Sequence, residues 1–203
     1  MSTKKILSQL SPEKALQQLK DGHKRFINHE HITRDFMQEV SETSEEQFPF
    51  AIILGCIDSR VPVEILFDQG IGDLFVTRVA GNFENDDIIA SMEYACAVTG
   101  SKLIVVLGHE GCGAIKAACD DVKMGHITGL LENLKPAIAA TKIEGEISSK
   151  NKACVDAVSK TNVTLTIARI REKSQILRTL EEKGEIKIVN AFYSINSGKL
   201  SFG

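Results

Sequence analysis

The sequence predicts an α/β fold: a mostly parallel central sheet flanked by helices, with a helical arm before it and an antiparallel hairpin after it. Three observations predict this. Short apolar runs, "FAIIL", "DLFVTRVA" and "KLIVVLG", alternate with segments of helical periodicity. The last run has no polar face, as expected of a strand covered on both sides. The closing stretch "EIKIVNAFYSINSGKLSF" divides into two strand-like halves about the turn "NSG".

Taken in order, the first element is a helix over Pro12–Asn28. Leu16, Leu19, Phe26 and Ile27 fall on one face, with Ser11 as N-cap and Pro12 at the first helical position. That face needs cover. The polar link "SETSEEQFP" leads to a first strand at Phe50–Leu54, and "DLFVTRVA" supplies a second. "NDDIIASMEYACAVTG" reads as a helix with acidic residues in its first turn and Gly100 beyond its end. "KLIVVLG" is the third strand. From Ala114 the pattern is helical, with breaks expected at Gly125, Gly129 and Pro136; Ser148 to Lys183 is one long helix or two.

Composition narrows the function. A chain of 203 residues, 43% hydrophobic, can bury one sizeable core. A net charge of −3 with scattered basic residues lacks the positive field that nucleic acid requires. No apolar run approaches the roughly 20 residues of a membrane span. The N-terminus has no continuous apolar region of the signal-peptide kind and reads as mature sequence. Five cysteines, an odd number with no sign of export, fit a reducing cytoplasm, where thiols serve as packing, nucleophiles or metal ligands.

Two loops carry the chemistry. "GCIDSR" follows the first strand with Cys56, Asp58 and Arg60; "GHEGCGA" follows the third with His109 and Cys112. Parallel strands deliver both loops to the same edge of the sheet, where α/β sites form. Sulfur, imidazole and sulfur suit zinc, and three protein ligands leave a fourth position for water. Zinc lowers the pKa of such a water to about 7, and the Asp58–Arg60 pair would then manage it. Spacing alone leaves a second reading open. Cys112, set between glycines after a strand, could be a nucleophile with His109 or Glu110 as base in an amide or thioester hydrolase. That reading leaves Cys56, Asp58 and Arg60 without a task. Cys96, Cys119 and Cys154 read as packing, and His23, His29, His31 and His126 receive no role. "GIGDLF" lacks the third glycine of a dinucleotide loop.

"CIDSRVPVEILFDQGIGDLFVTRVAGN" followed by "GHEGCGAI" resembles the β-class carbonic anhydrases, and the resemblance runs from "ALQQLKDGHKRF" to the closing hairpin. It implies one domain over residues 1–203, with an arm and link to about residue 48 and a zinc-binding core from 49. It also implies an obligate dimer, often paired into a tetramer, that hydrates CO2 reversibly to bicarbonate with one Zn2+ per chain. By this resemblance Cys56, His109 and Cys112 bind zinc. Asp58 and Arg60 form a dyad that orients the zinc-bound water, and in a closed state Asp58 becomes the fourth ligand. Gln47 matches a substrate-binding glutamine, Phe75 and Tyr94 match pocket aromatics partly across the dimer interface, and Gly113 offers a backbone N–H. The arm helix would embrace the partner subunit.

Val79 and Glu110 depart from the usual residues at their positions. One branch of the family closes its site and binds bicarbonate at a second pocket, around a tryptophan three residues before the first zinc cysteine. That position is Ile53 here, the chain has no tryptophan, and only Arg78 matches that pocket. An open site near neutral pH is therefore expected. Relatives on this fold that hydrolyse carbon disulfide or carbonyl sulfide are the alternative activity.

Overall fold

The computed structural model describes residues 4–203. Its sheet has five strands: β1 (Ala51–Gly55), β2 (Leu74–Arg78), β3 (Leu103–His109), β4 (Lys187–Tyr193) and β5 (Leu200–Phe202). Their order is β2-β1-β3-β4-β5, parallel throughout except for the antiparallel β4–β5 pair. The predicted sheet and closing hairpin are both present.

Alternation along the strands assigns the two faces. Ile53, Leu103, Val105 and Leu107 point to one side, against α2 (Pro12–Asn28) and α4 (Val63–Leu66). Ile52, Leu54, Ile104 and Val106 point to the other, against α5 (Asp86–Glu93), α9 (Lys152–Lys173) and α10 (Gln175–Glu182). A third apolar cluster lies at the carboxyl end of the sheet, where Ile115 of α6 (Gly113–Cys119), Leu131 of α7 (Gly125–Glu132) and Ala137 of α8 (Lys135–Ala140) meet Val155 and Val158. It forms the floor of the candidate site.

Several local expectations need correction. Gly129 does not break a helix; it lies inside α7, and Pro136 is the second residue of α8, where its missing N–H costs nothing. Residues Ser41 to Thr43 of the supposed link belong to α3 (Phe36–Thr43), capped by Asp35, and α1 (Lys4–Gln9) precedes α2. The 148–183 segment is two helices divided at Ser174, which caps α10 through Leu177 N. After Glu93, α5 continues as a π-helical turn over Tyr94–Val98.

The arm differs most from expectation. α2 has the predicted bounds, N-cap and first-turn proline. Its apolar face, however, is covered by its own chain: Ala15 and Leu19 are fully buried in the core below the sheet, and Leu16 and Phe26 pack against it. Gly22 lets α2 approach so closely that a Cβ there would stand 1.8 Å from the carbonyl oxygen of Phe67. Exposed apolar side chains of the arm include Phe36, Met37 and Val40 of α3.

His23 ties the arm to both ends of the core. Its Nδ1–H donates to the Leu66 carbonyl (3.0 Å) and its Nε2 accepts from Leu200 N–H (3.0 Å), so only the neutral ring serves. Burial holds its pKa below the ordinary 6.5, with the Leu66 bond opposing in part. Between the two values the unfolded chain binds the extra proton, so this contribution is complete above 6.5 and is lost as pH falls through the folded value. Urea stability should decline as pH falls below about 6.5, and His23→Gln should flatten that part of the profile. An unchanged profile in the variant would remove His23 from the account.

Candidate metal centre

β1 ends at Gly55, and Cys56, only 3% exposed, follows it into the carboxyl edge of the sheet. The register sets Arg78, last residue of β2, opposite Gly55. From there its guanidinium donates to the Cys56 carbonyl and the Asp58 carbonyl, each at 2.7 Å, which fixes the loop's path. Gly81 donates its N–H to Cys56 Sγ (3.4 Å), while its carbonyl accepts from buried Asn162 of α9 (2.8 Å). At φ +85°, with Leu134 2.9 Å from where a Cβ would be, position 81 has room for glycine alone.

β3 brings His109 to the same edge, fully buried, and Cys112 follows as the N-cap residue of α6. The donor atoms of Cys56, His109 and Cys112 all lie within 4.8 Å of one another. The two sulfurs are 3.9 Å apart. Tetrahedral zinc with bonds of ~2.3 Å would place two thiolates about 3.8 Å apart, so the spacing suits it.

The imidazole is prepared for the same purpose. His109 Nδ1 lies 2.9 Å from the Glu110 carbonyl, which can only accept, so the proton sits on Nδ1. That leaves Nε2 bare, and it is a buried atom without any hydrogen-bond partner. Of the thiols, Cys56 is pushed down, first by the hydrogen bond from Cys112, with help from the Gly81 N–H. Cys112 is pushed up, first by the bond it donates to Cys56 and then by burial. Two thiols beside a bare imidazole nitrogen, all within 4.8 Å of one another, are a donor set that suits a divalent cation.

Asp58 stands at the rim, its Oδ2 4.0 Å from His109 Nε2. Arg60 holds the carboxylate with both arms of its guanidinium, Nε to Oδ1 at 2.9 Å and Nη2 to Oδ2 at 2.8 Å, and adds its backbone N–H at 3.0 Å. These bonds keep the carboxyl far below the usual carboxylate range despite partial burial. The five residues read from the two loops therefore converge on one place.

Residues 51–200 match the family described as carbonic anhydrase. The chain belongs to that family. It is 34% identical over 197 residues to a carbonic anhydrase of Mycolicibacterium smegmatis, covering 94% of this chain and 92% of that one. It is also 34% identical over 190 residues to one of Pseudomonas aeruginosa, covering 89% and 84%. Among solved structures, the fold matches the β-carbonic anhydrase of Coccomyxa, determined with acetazolamide (TM-score 0.72, 24% identity, 82% of this chain and 77% of that one). It also matches a tetrameric β-carbonic anhydrase of Sordaria macrospora (TM-score 0.70, 23% identity, 93% of each chain). The fold is thus that of the β-class, as the two loops led one to expect.

Of the other residues singled out from the sequence, Gly113 directly follows Cys112, while Gln47, Phe75 and Tyr94 lie elsewhere along the chain. Phe75 pairs with Ile52, four positions before Cys56, and its ring meets Tyr94 edge-on at 6.4 Å. The two line a cavity of about 520 Å³ along the open edge of β2, and Tyr94 is 54% exposed. Gln47 is exposed between α3 and β1, and Gly113 is exposed at the start of α6 with open space where a Cβ would point. Val79 packs between two of the apolar clusters. The Glu110 carboxylate turns to Ser194 Oγ (2.8 Å) and Asn196 Nδ2 (2.9 Å), which leaves it no part as a base for Cys112. Sequence reading missed the loop-fixing work of Arg78, although its place at the end of the strand beside Cys56 was a usable signal. Asn162, 81 residues from its partner, gave none.

Proposed function

We propose that this protein catalyses the reversible hydration of CO2 to bicarbonate and a proton, with one zinc ion per chain held by Cys56, His109 and Cys112. The observation that carries the reading is the bare, buried Nε2 of His109 facing two sulfurs at zinc-like separation. Bound zinc would supply a Lewis acid that lowers the pKa of its water to about 7, carbonic anhydrase being the reference case for that figure.

The chain's own residues would do the rest. Asp58, kept ionised by Arg60, is an acceptor at the mouth of the site and would orient the reacting water without joining the donor set. For Asp58 to become a fourth ligand it would have to leave three hydrogen bonds with Arg60, which favours the open arrangement. Gln47, Phe75, Tyr94 and the Gly113 N–H are assigned to CO2 and bicarbonate, with Gln47 and the aromatics reaching a site only through a second copy. The open β2 edge with its cavity, and the exposed Phe36, Met37 and Val40 of α3, support a homodimer. No helix among the described residues is long and apolar enough to cross a membrane. All five cysteines are free, and a reducing cytoplasm would keep the two neighbouring ligand thiols from oxidising each other.

Metal analysis with a stopped-flow pH-indicator assay tests the proposal. One zinc per chain with rapid CO2 hydration is expected. Zinc-loaded protein that is inert toward CO2 but releases sulfide from carbon disulfide would move the activity to the alternative substrate. Purified protein that takes up no zinc would remove the site.

A further inference from the structure

The geometry points to Asp156 as a positioning residue that acts on His109 through one intervening peptide group. The inference rests on the reading of Cys56, His109 and Cys112 as a zinc site. His109 Nδ1–H donates to the carbonyl oxygen of Glu110 (2.9 Å). The other end of that peptide unit is the Gly111 N–H, which donates to Asp156 Oδ1, also at 2.9 Å. The result is an unbroken line: imidazole N–H, peptide carbonyl, peptide N–H, carboxylate.

Zinc-binding histidines commonly give their second nitrogen's proton to a carboxylate or a backbone carbonyl, which fixes the tautomer and raises the basicity of the ligating nitrogen. Here the carbonyl is in direct contact and the carboxylate is one peptide behind it. An anion on the N–H of a peptide draws its dipole toward greater negative charge at oxygen, and hydrogen bonds in such chains strengthen one another by about 10–30% per bond. Asp156 therefore does two things at once. It fixes the 110–111 peptide with its oxygen toward His109, and it makes that oxygen a better acceptor.

Other features show that this carboxylate is set aside for the loop. Asp156 is the fifth residue of α9, and the cap of that helix is Asn151, which accepts from Cys154 N. The preceding peptide is held separately, because Glu110 N–H donates to the Tyr193 carbonyl at the end of β4 (3.0 Å). Gly111 has φ +61°, a left-handed conformation that turns the peptide back toward α9. Asp156, Glu110, Lys116 and Lys152 line a cavity of about 200 Å³ that none of Cys56, His109 and Cys112 lines.

The test compares wild type with Asp156→Ala and Asp156→Asn. Zinc affinity is read by competition with a chromophoric chelator, and the His109 Nδ1–H resonance by NMR in both zinc-loaded and metal-free protein. Asp156→Ala should weaken zinc binding by about 10–100-fold. Asp156→Asn keeps an acceptor of the same length without the charge; it should lose less, and the resonance should move upfield in both variants. Wild-type zinc affinity together with an unmoved resonance in Asp156→Asn would overturn the inference, whatever Asp156→Ala does to folding. If wild-type protein binds no zinc, the reading of the site falls, and the resonance in metal-free protein still decides the link from Asp156 to His109.

Discussion

Cys112→Ser should abolish zinc retention and reduce CO2 hydration by at least about 10³-fold, beyond the 10–100-fold typical of residues one layer removed from a metal. The fold should survive. Cys112 makes no side-chain cap bond to α6, and serine is smaller than the thiol it replaces, with Cys56 Sγ within reach of its hydroxyl. Far-ultraviolet circular dichroism would check the fold, and dialysis against a chelator followed by elemental analysis would check the metal. Full zinc occupancy in this variant, or wild-type activity that survives metal removal, would end the assignment of Cys112 as a ligand. The second outcome is what a cysteine-nucleophile hydrolase would give.

Asp58→Ala and Arg60→Ala should separate metal from turnover. Neither residue belongs to the sulfur–imidazole cluster, so zinc content should stay at one per chain. Activity should fall by about 10²-fold or more, the usual loss when a positioned acid–base or orienting group is removed. The two substitutions fail for different reasons. Asp58→Ala deletes the acceptor. Arg60→Ala leaves it 4.0 Å from His109 Nε2 with its bidentate partner gone, free to turn toward the donors, so zinc should be held at least as tightly as in wild type. Because the pair works as a unit, the double variant should be little worse than either single one. Near wild-type rates in either single variant would show that the dyad has no part in turnover.

The elements most legible in the sequence were those whose ends carry their own chemistry. α2 was readable to the residue because Ser11 caps it and Pro12 opens it; β1 and β3 were readable because strands buried on both faces are continuously apolar. α3 was not, since Phe36, Met37 and Val40 lie exposed among polar residues and form no buried stripe. The face of α2 was read correctly as needing cover, and at Ala15 and Leu19 its own chain supplies it. Periodicity says that a face is buried, never by what. The five site residues came from two short stretches because parallel strands carry successive loops to one edge, a rule of topology that needs no distances. Gly81 reaches Cys56 because β2 runs beside β1, and Asp156 and Asn162 meet the site across 45 and 81 residues of chain, brought there by the packing of α9.

The closing hairpin sets a clock on assembly. Ser194 and Asn196 secure Glu110, the Tyr193 carbonyl holds the Glu110 N–H, and His23 clasps the backbone at Leu200. Synthesis on the ribosome proceeds from the N-terminus, so Cys56, His109 and Cys112 emerge well before these fastenings exist. Until then the loop that carries His109 and Cys112 lacks its anchors on Tyr193, Ser194 and Asn196, while the Cys56 loop already has Arg78 and Gly81. On the proposed zinc reading, metal loading would follow hairpin formation, and removal of residues 193–202 should yield a protein that collapses yet takes up zinc poorly.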